Sequence, residues 1–485
     1  MTRGVVPVLL SPLLVLAEEG LQPSRPALQH VSPVSALSTL HGEPVDIELA
    51  DAIALALRDN RAIRRAYLER IAQKFELRVA HDQFAPQLAL KARYLANRNH
   101  ADHYQEARLA PTASLLTPYG TRLSLDWARG HTRADGAGRR YSDGANLTII
   151  QPLLRGAGRD IASAPLRQAR LAEQLNRLAL KDDVSAVITR TIMLYRALLR
   201  AQEQLRIAED GLARSRQLVE VNRALIAAGR MAAFDIVQAQ AEVANQEMAR
   251  ESSRNQLQQS CQALAQLLAI DLSTPLRAVE SLHVERLQVD ASQALARAEA
   301  WQPAYLMQQL AVEQAAIDLQ VADNAQWWDL SLVGGVSQLR ERPGNGTSGE
   351  RYLGLELEVP IGDLDRRQAW VRAQVAMDQQ NLNLAESRQQ LQREVGTAVR
   401  DVQVRWRQVE IAERALALSQ RKLDIEQEKL AAGRSSNFQV LSFEGDLRYA
   451  QSTRLDAILD YLEAQVVLDQ VLGATLDSWN VALND

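Results

Sequence analysis

A single cysteine in 485 residues, Cys261, leaves the chain without a disulfide framework and without the paired thiolates of a zinc site. Set between Ser260 and Gln262 in a helical stretch, it reads as a packing residue. Charge of one sign is also lacking. The formal net charge is -4, the pI is near 6.1 and no run of like charges stands out. The chain therefore has no basic field to hold nucleic acid, and no nucleic-acid partner is expected. Long hydrophobic runs are scarce too: beyond the N-terminus, none approaches the ~20 continuous apolar residues of a spanning helix. A membrane crossing would have to be made by strands.

Catalytic patterns are missing as well. No nucleophile, base and orienting group stand in a recognisable order, so no enzyme activity and no cofactor are expected. Gly156-Ala157-Gly158 lacks the remaining glycine spacing and the Lys-Ser/Thr of a phosphate loop, and reads as a strand-to-helix hinge. His100, Asp102 and His103 lie close together, but in a polar stretch of an expected outer loop, and no metal site is assigned to them.

What is present begins with Met1-Thr2-Arg3, the apolar run Val5 to Ala17 and then Glu18-Glu19, the form of a secretory signal over 1–17. No cysteine follows that could carry a lipid. Residues 18–45, with prolines at 23, 26, 33 and 44, read as an extended leader. From Asp46 onward the chain repeats itself. Ala227-Ala228-Gly229-Arg230 followed by Phe234 returns as Ala431-Ala432-Gly433-Arg434 followed by Phe438, displaced by 204 residues. Helix one, about Glu48 to Phe84, matches a helix from about Ser292 to Gln326 at an offset of 242, with Val79-Ala80 on Val321-Ala322. Two structural repeats follow, 46–275 and 276–475, with a tail at 476–485.

After each opening helix the period changes to two. Gln87 to Tyr94 and Leu353 to Val359 place apolar residues on one face and charged or small ones on the other. The strand regions are 86–152 and 328–360, and the segments 86–152 and 327–370 that hold them are rich in Trp and Tyr, which suits the aromatic girdles of an outer-membrane barrel. The first is 34 residues longer, enough for an added hairpin over about Pro111 to Leu116 and Thr121 to Trp127; whether it enters the barrel or lies over it is open. Long heptad helices come next, about Pro165 to Ala228 and Arg367 to Ala432. The second is marked by Val395, Val402, Val409, Leu416, Leu423 and Leu430, and the first by Leu198, Leu205, Leu212, Val219 and Ile226. Small residues three positions on, such as Ala201, Ala208, Ser215, Ala412 and Ser419, allow close helix approach. Gly229 and Gly433 break each rod, and returning helices run from about Phe234 to Ile270 and Phe438 to Ala474.

One chain offers four to six membrane strands, whereas a closed barrel needs about eight or more. An open edge in lipid is costly, so several chains must share one barrel. Three copies would give twelve to eighteen strands. At this point the chain resembles the TolC family of outer-membrane efflux proteins of Gram-negative bacteria over about residues 46–475. The resemblance is carried by Leu49-Ala50-Asp51-Ala52-Ile53 with Asn60, by Gln151-Pro152-Leu153-Leu154-Arg155-Gly156-Ala157-Gly158, by Val359-Pro360-Ile361-Gly362 and by the two Ala-Ala-Gly-Arg tips. It implies an α+β membrane protein: a trimeric channel-tunnel with a shared outer-membrane β-barrel on a long periplasmic α-helical, coiled-coil barrel. It implies a homotrimer in outer-membrane lipid, a periplasmic adaptor protein docked on the tips, and an inner-membrane pump of RND, ABC or MFS type. The function that follows is a passive duct of a tripartite efflux or type I secretion system.

The tips Gly229, Arg230, Met231 and Gly433, Arg434, Ser435 resemble the family's adaptor-docking turns. Family members narrow the entrance with aspartates beside the Val-Leu that follows the second tip; here Gln439 and Ser442 flank Val440-Leu441. That departure leaves Asp235, Glu444 and Asp446 as acidic entrance candidates beside Gln439 and Ser442. Two other classes compete, a periplasmic adaptor and a structural coiled coil. The first would carry one hairpin rather than two, and the second gives no account of the aromatic, alternating strands.

Overall fold

The structure, a computed structural model, describes residues 44–98, 103–135, 138–343 and 346–483. The expected signal and most of the leader, and His100 and Asp102, lie outside the described residues. The first half consists of β1 (Val45–Ile47), α1 (Leu49–Asp59), α2 (Arg61–Asp82), β2 (Gln87–Arg98), β3 (His103–Leu116), β4 (Arg122–Ala134), β5 (Gly138–Pro152), the helical turn α3 (Arg159–Ala162), α4 (Ala164–Ala227) and α5 (Asp235–Leu268). The second runs through β6 (Leu276–Ala278), α6 (Ala291–Trp301), α7 (Pro303–Ala325), β7 (Asp329–Arg342), β8 (Thr347–Glu358), α8 (Leu364–Ala431), α9 (Asn437–Val471) and α10 (Thr475–Ser478).

Each opening helix expected from the sequence is in fact two. The break falls at Asn60 and at Gln302, positions that correspond at the offset of 242. The Asn60 side chain accepts from the backbone N–H groups of Ala62 and Ile63, and that of Gln302 accepts from Tyr305 N–H. Both residues are extended and cap the helix that follows; in the second half Pro303 supplies the fixed φ of a first helical position. The expected tail also takes structure: α10 forms and Leu476 is buried.

The long helices have 64 and 68 residues, rods of about 100 Å. Most of their heptad residues face inward as the spacing requires, with Leu205, Ile226 and Leu416 half-buried. Leu198, Leu212, Val219, Val395, Val402, Val409, Leu423 and Leu430 are all buried, and so are Ala201, Ala208, Ser215 and Ala412 in the small-residue row. α4 packs on α5 and α8 on α9, giving two antiparallel hairpins. The hairpins join through Asp460 of α9, which accepts from Arg200 of α4 at 2.9 Å and from Arg405 of α8 at 3.0 Å. Above that bracket, β1 and β6 pair in parallel. Tyr195 Oη donates to Ile47 O and accepts from Val279 N, while Tyr461 Oη donates to Glu285 O and accepts from Leu287 N. These two fully buried phenols pin the connecting segments onto α4 and α9. Burial pushes the Tyr195 hydroxyl up to about 12.

β2 to β5, β7 and β8 form one antiparallel six-stranded sheet in the order β2-β3-β4-β5-β7-β8. The added hairpin, β3–β4, therefore belongs to the sheet. Its turn spans Thr117 to Thr121 as expected, but both strands run farther than the sequence indicated. Leu88, Ala113, Leu125, Leu147 and Val336 lie in one register row and so on one face, which also holds Leu90, Trp127, Ile149, Leu332, Leu353 and Leu355. This face is open: Leu88 is 80% exposed and Leu353 77%. The other face carries Lys91, Arg93, Asp126, Glu356 and Glu358. The row that starts at Leu88 reaches β8 at Arg351, already past the apolar run Leu353–Leu357. The apolar band thus steps toward the helical end as it crosses the sheet, the strand tilt that a closed barrel needs. Among the described residues no helix is long and apolar enough to cross a membrane.

Candidate functional site

At the tip of each long hairpin the chain reverses by the same bonds. Gly229 and Gly433 have φ of 72° and 73°, Gly229 N donates to Ile226 O and Arg230 N to Leu225 O, and Gly433 N and Arg434 N repeat this with Leu430 O and Lys429 O. Each is a Schellman turn, which needs a left-handed residue after the helix and therefore selects glycine. A Cβ at either position would meet nothing within 4 Å, so the demand is conformational and not steric. The following Arg230 and Arg434 are exposed.

Beyond the glycines the tips differ. Met231 folds inward onto the cluster of Leu218, Leu423, Leu430, Val440 and Leu447. Its counterpart Ser435 turns its hydroxyl onto Glu426 at 2.5 Å, and Lys429 holds the same carboxylate at 3.1 Å. These two partners keep the Glu426 carboxyl below its ordinary range. Ser436 caps α9, its hydroxyl accepting from Gln439 N at 3.3 Å. A groove of about 710 Å³ lies between α8 and α9 here, lined by Arg421, Lys422, Lys429 and Arg434 with Glu426 and Phe443.

The entrance candidates do not converge on one ring within the protomer. Asp235 begins α5, half-exposed, and its backbone carbonyl accepts from Asn437 Nδ2. Gln439 is half-buried and Ser442 exposed. Asp446 is exposed and pairs with Lys422 at 2.7 Å, whose ammonium also sits 3.6 Å over the Phe443 ring. Glu444 is elsewhere. It is 1% exposed and lies among Arg214 of α4, Glu242 of α5 and Arg448 of α9, so it faces the packing between hairpins and not an entrance. Burial pushes its carboxyl above the ordinary range; Arg214 and Arg448 oppose the rise and Glu242 reinforces it. Arg448 bonds Glu242 at 2.9 Å, but Glu444 Oε2, Arg448 Nη1 and two Arg214 nitrogens have no hydrogen-bond partner among the described residues.

The sequence reading missed two residues that join the tips. Asn222 Nδ2 donates to Asn437 Oδ1 at 3.0 Å, both side chains being buried. A signal for this existed. Asn222 continues the small-residue row of Ala201, Ala208 and Ser215, and Glu426 continues that of Ala412 and Ser419, 204 residues later. In each half the row turns polar in the last heptad before the tip, and one polar residue in an apolar seam fixes register at some cost in stability.

A second heptad row on α8 is left uncovered. Val404, Ile411, Leu418 and Ile425 are spaced by seven and remain 45% to 69% exposed. No curated protein sequence matches the chain. The family model for outer membrane efflux protein matches residues 52–269 and 282–474, one segment in each half. The chain belongs to the outer membrane efflux protein family.

Solved channels of related architecture agree. The open-state MtrE outer membrane channel of Neisseria gonorrhoeae is 17% identical, with a TM-score of 0.67 over 88% of this chain and 89% of that one. The CmeC outer membrane channel of Campylobacter jejuni is 14% identical, with a TM-score of 0.67 over 88% and 86%. The outer membrane protein VceC of Vibrio cholerae is 15% identical, with a TM-score of 0.66 over 88% and 96%. At such identities the likeness carries the fold alone; the outer membrane follows from the family to which the chain belongs.

Proposed function

We propose that three copies of this chain close an eighteen-stranded barrel and a continuous helical tube, forming the outer-membrane duct of a tripartite export system. A periplasmic adaptor docks on the tips at Gly229-Arg230 and Gly433-Arg434, and an inner-membrane pump supplies the energy. The observation that carries this reading is the sheet. It has one apolar face, one charged face and two unpaired edges, β2 and β8, and such edges are not tolerated in lipid. Pairing β8 of one copy with β2 of the next removes both. The uncovered row Val404, Ile411, Leu418 and Ile425 supports the same assembly in the helical part.

The test is planar-bilayer conductance of the detergent-extracted protein with its oligomeric mass measured in parallel. A trimer with small conductance that rises when Asn437→Ala removes the link between the tips is expected. A monomer without conductance would return the argument to the adaptor and coiled-coil alternatives.

A further inference from the structure

The apolar face of the sheet changes character at its far end, away from the helices. Register places Arg129 and Arg133 of β4, Arg139 of β5, Arg340 and Arg342 of β7 and Arg351 of β8 on the same face as Leu88, Leu125 and Leu353. Among the described strand residues, Asp143 is the one acid at that end of the face. It lies in register between Arg129 and Arg340, and its Oδ1 accepts from Trp127 Nε1 at 2.8 Å. The opposite, lumenal face behaves differently. There Lys91, Arg93, Arg108, Arg122 and Arg140 are outnumbered by acids that include Glu106, Asp126, Glu341, Glu350 and Glu356. The excess of positive charge therefore belongs to the lipid side alone.

Position narrows the meaning further. The arginines follow directly on the apolar band, and Tyr94 and Tyr141, joined by one register row, stand at the border where ring side chains meet lipid headgroups. Arg133 and Arg139 are directly opposed across β4 and β5, with Arg342 on the diagonal. Like charges opposed on one face repel unless an anion lies between them. All six side chains are exposed, and none forms an ion pair among the described residues. Guanidinium forks match phosphate oxygens in paired hydrogen bonds.

We infer that this arginine belt binds the phosphate groups of the anionic glycolipid in the outer leaflet, with the acyl chains lying along Leu90, Leu125, Trp127 and Leu147. The inference rests on the sheet being a barrel wall in the outer membrane. Conductance measured on the same preparation separates a failure of that reading from a failure of this one.

The experiment titrates the full chain, purified in non-ionic detergent, with bis-phosphorylated lipid A, with dephosphorylated lipid A and with inorganic phosphate, reading bound lipid by native mass spectrometry. Lipid A should bind roughly tenfold or more tightly than its dephosphorylated form, since paired arginine–phosphate bonds are lost with the phosphates. R133Q/R139Q/R342Q should erase that difference, whereas the lumenal pair R93Q/R108Q should keep it. If the triple glutamine variant does not assemble, R133K/R139K/R342K replaces it and should bind with intermediate affinity, because lysine keeps the charge and loses the fork. Equal binding of the two lipids, no loss in the belt variants, an equal loss in the lumenal variant, or full displacement by millimolar inorganic phosphate would each overturn the proposal.

Discussion

Two residue types decide the tips, glycine by its backbone and glutamate by its burial. Gly229→Ala and Gly433→Ala should each cost about 1–2 kcal/mol, the strain of a left-handed residue bearing a Cβ, with no steric term because the space around both is open. Denaturant midpoints of the single variants check this. Glu444 makes a prediction about pH. Because burial raises its carboxyl in the folded state, the native protein holds this proton over a window in which the unfolded chain has lost it. Its contribution to stability is therefore full below the unfolded value and is lost as pH rises through the folded one. Glu280, Glu463 and Asp469 are raised by burial in the same way, so wild type should melt higher at pH 5 than at pH 8. Glu444→Gln should show a smaller difference between the two, and an unchanged difference would mean that this carboxyl does not titrate in the window.

At the scale of elements, the two heptad rows on α8 have different tasks. The buried row should respond to Leu423→Ala with about 2–5 kcal/mol of lost stability, as cavity-forming truncations do. The exposed row should not. Leu418→Glu leaves the protomer's packing intact, places charge in the seam proposed between copies, and should lower the oligomeric mass measured in detergent by light scattering. These rows also show how much of the fold the sequence discloses. The heptads, the offset of 204 residues and the Gly-Arg turns were legible because each is a local pattern written twice. The breaks at Asn60 and Gln302 were not, since one extended residue barely disturbs an apolar period, although Gln302-Pro303 held the hint. The length of β4 was hidden by Arg129, Gly130, His131 and Arg133, which look like loop until the register shows Arg129, His131 and Arg133 continuing the face of Leu125 and Trp127. Glu444 was placed at an entrance because its neighbours Arg214 and Glu242 stand some two hundred residues earlier in the chain, beyond the reach of any local pattern.

In the whole molecule, apolar cementing thins from the level of β1 and β6 to the tips. Around β1 and β6 and along the upper hairpins, buried clusters are built from residues that include Tyr195, Leu198, Leu264, Val402, Ile458 and Tyr461, whereas among the described residues the fully buried part of the tip cluster is Leu218, Leu423, Leu430, Val440 and Leu447, flanked by half-buried side chains such as Met231. Below the Asp460 bracket the two hairpins are held increasingly by polar groups, first Arg448 of α9 with Glu242 of α5, then Asn222 with Asn437. Splaying α8–α9 away from α4–α5 therefore costs least at the tips, where the hydrogen bonds that break can be replaced by water. If opening takes this route, joining the hairpins at the last polar contact should prevent it. The pair Asn222→Cys and Asn437→Cys, bridged by a short thiol-specific crosslinker, tests this without interference from the native thiol, because Cys261 is half-buried and burial raises its thiol. The unbridged double variant has lost the amide pair and should conduct at or above the wild-type level. The bridged protein should stay at the small closed conductance, and neither single cysteine variant should respond to the reagent. A bridged channel that opens as freely as the unbridged one would move the hinge of opening away from the tips and up toward the Arg200–Asp460–Arg405 bracket.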